Sequence, residues 1–300
     1  MNRDLEMRVF VAVVEAGSFV AASEGLRMSK AAVSRHVEAL ERRLGARLLH
    51  RTTRRLSLTE EGKRFYPGAK AVLADISDVE ALVSQDAKAP QGRIRINVPV
   101  SFGISHLAPR WGDFLAMAPK VELDISLSDR VVDLVEEGFD VAVRIGRLPS
   151  SSLVSRRLAS TRMRLCAAPA YLAKHGTPQQ LSELTKHRVL SYSHWSEGDD
   201  WTFEGPQGAV TVRTQSRVYS NNGDTCQAIA LAGGGIVLQP DFMVGDDLKA
   251  GRLVELLAQY KAPTLGIYVV YPSRKLLPTR VKSLVNFLVQ QFEKVHWQGK

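Results

Sequence analysis

The stretch SFVAASEGLRMSKAAVSRHVEALERRLG, residues Ser18 to Gly45, decides the N-terminal fold. It reads as two short helices joined by a turn. Ser18 is a good N-cap for the first, because its hydroxyl can accept from an otherwise unpaired backbone N–H. Ala21, Ala22 and Leu26 form the expected inner face of that helix, small enough for close packing. The turn falls at Leu26-Arg27-Met28, and Ser29 caps the second helix. Val33, Val37, Leu40 and Leu44 are spaced four, three and four apart, so one face of the second helix is apolar. Gly45 ends it, since glycine tolerates the left-handed conformation at a helix C-terminus. The first turns of the other face carry Lys30, Ala31, Ser34 and Arg35. Small, hydroxyl and cationic side chains at the N-terminal end of an exposed helix suit a DNA major groove.

Outward from this pair, residues 4–16 read as a preceding helix with Leu5, Val9, Ala12, Val13 and Ala16 on one side and Gly17 as its stop. Residues 46–59, ARLLHRTTRRLSLT, place Leu48 and Leu49 at one end and Leu56 and Leu58 at the other, around an arginine-rich tip. That pattern predicts a β-hairpin wing presenting Arg51, Thr52, Arg54 and Arg55 to phosphate or the minor groove. From Arg42 to Thr59 there are six arginines and no acid. With a net charge of +9 and a pI of ≈ 9.7, the chain suits a polyanion partner.

Beyond Thr59 the period changes. Phe65, Ala69, Val72, Ile76, Val79 and Val83 are spaced 4, 3, 4, 3 and 4, a heptad seam on a helix over 60–88. Thr59 is its expected N-cap, with Glu60 and Glu61 at the positive end of the helix dipole. Such a seam suits a dimer helix that holds two DNA-reading units at a fixed half-site spacing. Residues 89–92 form a polar, Pro/Gly-bearing hinge. Strand-like segments at 93–100, 121–128 and 140–146 then alternate with helical ones at 105–117 and 131–138, a βαβαβ run that implies a parallel sheet. A second set follows: strands at 162–169, 189–193, 236–240 and 265–273, an antiparallel excursion at 201–219, and helices at 170–175, 179–187, 224–232, 241–250 and 279–295. The predicted class is α/β overall.

The pattern F-x-A-V-x-E-x-G-S-F-x-x-A-A, followed by V-S-R-x-V-x-x-L-E-x-x-L-G-x-x-L-x-x-R-T-T-R-x-x-x-L-T-x-x-G, resembles the LysR-type transcriptional regulators. Phe10, Glu15, Gly17, Ser18, Phe19, Val33, Ser34, Arg35, Leu40, Glu41, Gly45, Arg51, Thr53, Arg54, Thr59 and Gly62 are among the residues that carry it. Segments such as DLVEEGFDVAVRIG and ALAGGGIVLQP extend the likeness through the chain. The resemblance implies a winged helix-turn-helix over 1–59, a dimerising linker helix over 60–88 and a two-lobed effector domain over 93–300 of periplasmic-binding-protein type. Lobe I would span about 93–162 and 268–300, lobe II about 163–267, with hinges near 162 and 267.

It further implies double-stranded DNA, a small-molecule effector and RNA polymerase as partners, and a homotetramer of paired dimers. Positions matching the family's DNA contacts are Ser29, Lys30, Ala31, Ser34 and Arg35, with Arg51, Thr52, Arg54 and Arg55 in the wing. Many members carry Gln-Pro where this chain has Lys30-Ala31. Glutamine pairs with adenine, whereas lysine favours guanine or phosphate, so the operator preference is expected to differ. Positions matching the cleft are Ser101, Phe102, Arg144, Ile145, Gly146, Ser193 and Asn222. They lie at strand ends, where hydroxyls, amides and helix N-termini converge. Arg144 would suit a carboxylate-bearing effector, which its fork can clamp at two points.

Other readings stand beside this one. Cys166 and Cys226 raise a redox-sensing alternative, and Arg164 could lower a thiol pKa. The region after residue 92 taken alone would be a small-molecule-binding protein without DNA function. An enzyme is not expected. The histidines at 36, 50, 106, 175, 187, 194 and 296 show no metal spacing and no nucleophile elbow, and His194 with Glu197, Asp199 and Asp200 reads as a polar loop. No cofactor or metal is expected. The first residues lack a signal-type apolar run and no stretch reaches the ~18 apolar residues of a membrane span, so a cytoplasmic location is the expectation.

Overall fold

The computed structural model describes residues 3–52, 55–83, 89–148, 152–195, 197–272, 277–293 and 295. The chain splits into two compact units. One is Met1–Ala89 with the short segment Val135–Gly138, and the other is Pro90–Leu134 with Phe139–Lys300.

The first unit has three helices, α1 (Arg3–Ala16), α2 (Phe19–Gly25) and α3 (Lys30–Leu44), then a hairpin of β1 (Leu49–Thr52) and β2 (Arg55–Leu58), then α4 (Glu60–Val83). Ser18 caps α2, accepting from Val20 and Ala21, and Ser29 caps α3, accepting from Ala32. Between the helices Arg27 adopts a left-handed φ of 52°, and the Met28 amide bonds back to Ser23 O at 2.9 Å. Gly45 closes α3 at φ 68°. Val9, Phe10, Val13, Val33, Val37, Leu40, Leu48 and Leu49 form one buried cluster. Ala21 does not join it. It is exposed, and Ala22 and Ser23 are buried in its place, with the Ser23 hydroxyl donating to Val20 O. Leu44 is also largely exposed, because α3 ends there.

Polar groups tie these helices to the hairpin. Glu41 accepts from the Leu48 and Leu49 amides at 2.8 and 3.2 Å, which satisfies the start of β1. Glu6, 1% exposed, pairs with Arg43 at 2.9 Å and links α1 to α3. Thr59 caps α4 by accepting from the Gly62 amide, and its hydroxyl donates to Arg47 O. The N-terminal half of α4 then completes the core, with Phe65 and Tyr66 against Phe10 at 5.7 and 6.4 Å between ring centroids, and with Ala69 buried. Val72 is 45% exposed, so the heptad seam leaves the core there. The side chains of Val79 and Val83 lie outside the described residues.

The second unit carries one continuous sheet. Its strands are β3 (Gln91–Val98), β4 (Lys120–Leu127), β5 (Val141–Gly146), β6 (Leu153–Ala167), β7 (Val189–Tyr192), β10 (Ser216–Ser220), β11 (Ile236–Pro240), β12 (Val254–Glu255) and β13 (Thr264–Pro272). β8 (Asp200–Gly205) and β9 (Gly208–Arg213) form a separate hairpin. The order is β10-β7-β11-β6-β13-β5-β3-β4, with β12 on β6. β3 pairs in parallel with β4 and β5, as the alternation requires, while β13 runs antiparallel to β5 and β6. Residues Leu153–Arg162 of β6 pair with β13, and Met163–Ala167 pair with β11. The lobes therefore meet within one strand.

The helices follow the expected order: α5 (Val100–Phe102), a π-helical turn at Gly103–Leu107, α6 (Ala108–Met117), α7 (Pro169–His175), a 3-10 turn at Leu181–Lys186, α8 (Gly223–Leu231), α9 (Asp241–Lys249) and α10 (Thr279–Phe292). α6 and α10 cover lobe I through Trp111, Phe114, Leu284, Phe287 and Leu288. In lobe II, Met163, Leu165 and Ala167 join one cluster and Cys166 the other, the alternation of a strand buried on both faces. The helix expected at 131–138 is absent. The segment is a run of turns, with Val132 and Leu134 buried beside Phe139. Alternate residues cannot both face inward on a helix, and this burial pattern wins over the helical periodicity.

Gly62 sits where a Cβ would lie 2.1 Å from Leu48 O, a backbone atom that cannot swing aside. Gly62→Ala is expected to destabilise the protein by about 2 kcal/mol, as overpacking does in a tight core. Chemical denaturation of the two forms measures it, and an unchanged midpoint would show that Leu48 and α4 do not meet this closely.

Candidate DNA-reading surface and effector cavity

The buried face of α3 fixes its free face. Val33, Val37 and Leu40 lie in the core, so Lys30, Ala31 and Arg35 are exposed on the first two turns. Ser29 is committed to the cap, and Ser34 donates to Glu38 Oε1 at 3.1 Å. Of the wing residues, Arg51 and Thr52 lie on β1 and Arg55 on β2, where register pairs Thr52 with Arg55. Arg54 lies outside the described residues. The structure thus brings Ser29, Lys30, Ala31, Ser34 and Arg35 onto one helix end, with the hairpin tied to the same helix through Glu41.

A cavity of about 300 Å³ lies where the two lobes meet. Lobe I supplies Val131, Ile145, Gly146 and Arg147, and Leu265 stands with the lobe II cluster. Lobe II supplies Met163, Leu190, Tyr192, His194, Trp195, Glu197, Trp201, Gly223, Leu238, Gln239, Pro240 and Met243, and Pro263 lies at the crossover. The walls are mainly apolar. Gln239 is buried and donates to Gly223 O at 3.4 Å. Tyr192 donates its hydroxyl to Asp129, and burial with that carboxylate pushes its pKa up.

Of the residues expected at the cleft, Ile145 and Gly146 line this cavity. Ser101 donates to Asp224 Oδ2 at 2.7 Å, and Asn222 caps α8 by accepting from the Thr225 amide. Ser193 is exposed after β7, with its amide on Ser220 O. Phe102 is fully buried in lobe I, where it packs edge-on against Phe242 at 5.4 Å. Arg144 donates to Asn97 Oδ1 at 2.6 Å and to the carbonyls of Val143 and Val132. Its guanidinium is thereby engaged in lobe I. Sequence reasoning missed Trp195, Trp201, Gln239 and Met243. The rule that picked Ser193, proximity to a strand's carboxyl end, also covers Trp195 and Gln239, but nothing local marks them as cavity walls. The loop at 193–200 divides its work: His194 and Glu197 line the cavity, while Asp199 accepts from Ser191 and Tyr219.

Cys166 and Cys226 are free and buried in the same cluster. Burial raises the Cys166 thiol to about 12, helped by Glu255 and Asp247, and raises Cys226 as well. Arg164, expected to activate a thiol, is instead engaged by Asp241 and Glu255. Both thiols stay protonated near neutral pH, which suppresses their nucleophilicity. In the folded chain neither is expected to be alkylated by iodoacetamide at pH 8 within the time that fully labels the denatured chain. Mass spectrometry reads the outcome, and rapid native labelling of either would restore a redox role. Among the described residues, no group of three or more His, Cys, Asp or Glu is placed to hold a metal ion, and no helix is long and apolar enough to cross a membrane.

Two known domain families match the chain. The bacterial regulatory helix-turn-helix of the lysR family covers residues 5–63, and the LysR substrate binding domain covers residues 87–293. The HTH-type transcriptional regulator YhjC of Escherichia coli K12 is 37% identical over 290 residues, 96% of this chain and 97% of that protein. CrgA of Neisseria meningitidis is 36% identical over 287 residues, 95% of this chain and 96% of its own length. The solved structure of CrgA, described as a LysR-type transcriptional regulator, has a TM-score of 0.62 at 36% identity, covering 97% of this chain and 99% of that one. The full-length Vibrio cholerae virulence activator AphB has a TM-score of 0.60 at 29% identity, covering 97% and 99%. The chain belongs to the LysR family of transcription regulators, with an N-terminal helix-turn-helix that binds DNA and a C-terminal domain that binds a small-molecule effector.

Proposed function

We propose that this regulator reads its operator with Lys30, Ala31, Ser34 and Arg35 and switches on a small molecule held in the interlobe cavity. The observation that carries the reading is the exposed N-terminal face of α3, whose other face is locked into the core. Ser29 orients the helix start, and Arg51, Thr52, Arg54 and Arg55 supply the wing's contacts with phosphate or the minor groove. Two chains pair through α4, whose sequence continues the heptad spacing at Val72, Ile76, Val79 and Val83, and dimers pair into a tetramer. The effector contacts Ile145 and Gly146 and changes the angle between the lobes, which alters how paired half-sites are engaged. Ser101, Phe102, Arg144, Ser193 and Asn222 shape the cleft around that cavity. The regulator works in the cytoplasm and acts on transcription through RNA polymerase. A carboxylate effector is the expectation attached to Arg144, whose guanidinium donates to Asn97 Oδ1.

Selection of the operator from random DNA, followed by binding measurements at several salt concentrations, tests the reading. Arg35→Ala is expected to weaken operator binding by about 1–3 kcal/mol while leaving non-specific binding nearly unchanged. Equal losses on both would remove Arg35 from base reading. Lys30→Gln is expected to move the preference at one operator position from guanine toward adenine. For Arg54→Ala the slope of log K against log salt is expected to fall by about 0.9 per phosphate contact removed, and an unchanged slope would take this side chain off the backbone.

A further inference from the structure

One wall residue of the cavity is out of place in its strand. β11 runs Ile236-Val237-Leu238-Gln239-Pro240 between β7 and β6, with all five residues buried. A strand buried on both faces is expected to be apolar throughout. Gln239 is instead a primary amide, 3% exposed, that can donate twice and accept twice. Its Nε2 makes one long bond, to Gly223 O at 3.4 Å. That bond fixes the orientation of the amide, because a carbonyl oxygen can only accept. No described group donates to Gln239 Oε1.

This oxygen stands beside other parts of the wall. A Cβ placed on Gly223 would lie 3.4 Å from Gln239 Oε1 and 3.0 Å from Met243 Cε, and all three residues line the cavity. The wall does not meet its need. Tyr192 spends its hydroxyl on Asp129, and Trp195 Nε1, a buried donor without a partner, makes no bond to it. Ile145, Met163, Leu190, Leu238 and Leu265 have no polar hydrogen to offer. A buried acceptor left unpaired costs roughly ten- to a hundredfold in the folding equilibrium. An apolar side chain of the same length would fill the strand position without that cost.

We propose that Gln239 selects the effector, a compact and largely apolar molecule whose N–H or O–H group donates to Gln239 Oε1. The proposal rests on the reading that the effector binds in this cavity. The apolar walls take the body of such a molecule, and about 300 Å³ has room for a substituted ring. A molecule without the donor leaves Oε1 buried and unpaired, which is how a site built to bond a hydroxyl rejects the analogue that lacks it.

Phenol, toluene and anisole share one ring and separate the possibilities. Toluene matches phenol in shape and lacks the oxygen, and anisole keeps an oxygen that can only accept. Each is titrated against the full chain by calorimetry, with the thermal midpoint as a second readout. Apolar burial alone would rank toluene and anisole above phenol. Phenol is expected to bind tighter than either by about tenfold. Gln239→Met keeps the length of the side chain and removes the acceptor, so the advantage of phenol is expected to vanish while the ligand-free midpoint does not fall. An amide kept only for structure would lower that midpoint when removed and leave toluene ranked first in the wild type. Toluene or anisole binding the wild type as tightly as phenol overturns the proposal and leaves the cavity reading in place. An advantage of phenol that survives in Gln239→Met takes Gln239 out of the selection and overturns it too. Saturation by none of the three up to about 5 mM, a range that captures fragments of this size, overturns the cavity reading itself and the proposal with it. If Gln239→Met fails to fold, the wild-type ranking decides alone.

Discussion

One strand, Leu153–Ala167, belongs to both lobes of the effector domain. Its first part pairs with β13 and its last part with β11, so the sheet passes from one lobe into the other without a break. Backbone hydrogen bonds hold this joint, and a strand in mid-sheet has no cheap way to leave its ladder. The lobes are therefore hinged through the strand and through the return at Pro263, whose carbonyl accepts from Met163. Met163, Pro263 and Leu265 all line the cavity, which places it against the joint itself. A ligand there acts where a small change in strand angle moves a whole lobe.

The opposite side of the cleft is closed by side chains. Ser101 on Asp224 and Tyr192 on Asp129 cross between lobes, and His106 faces Phe242 O at 3.1 Å, its pKa lowered chiefly by burial. These bonds involve single side chains and are easier to exchange than a strand ladder. The cavity thus lies between a continuous backbone joint and a set of individual contacts, the arrangement a ligand-responsive hinge needs.

The DNA-binding unit solves a different problem. It is small, and three short helices bury little on their own. The first half of α4 supplies the missing apolar surface through Phe65, Tyr66 and Ala69. Glu41, Thr59 and the close approach at Gly62 lock the hairpin between α3 and α4. The N-terminal half of the linker helix therefore belongs to this core, and α3 is held by the same contacts that start the linker.

The DNA-binding unit was almost entirely legible in the sequence. Caps at Ser18, Ser29 and Thr59, the glycine stop at Gly45 and the four-three spacing along α3 are local signals, because each depends on residues within one or two turns. The exposed Ala21 shows the limit, since which side of a short helix faces inward depends on its neighbours. In the effector domain, strand alternation fixed the class and the sequence order of the strands, and the strand-end rule found Ile145 and Gly146. Tertiary structure alone decided where Arg144 and Ser101 point. Arg144 meets Asn97 on another strand and Ser101 meets Asp224 in the other lobe, and no local spacing records which of two polar groups will meet. It likewise decided that Val131–Gly138 forms turns, because the burial of Val132 and Leu134 is set by Phe139 and Val270 rather than by the segment's own period. Local energetics wrote the elements and the reading surface into the sequence. Which distant polar groups meet across the lobes is decided only when the sheet brings them together.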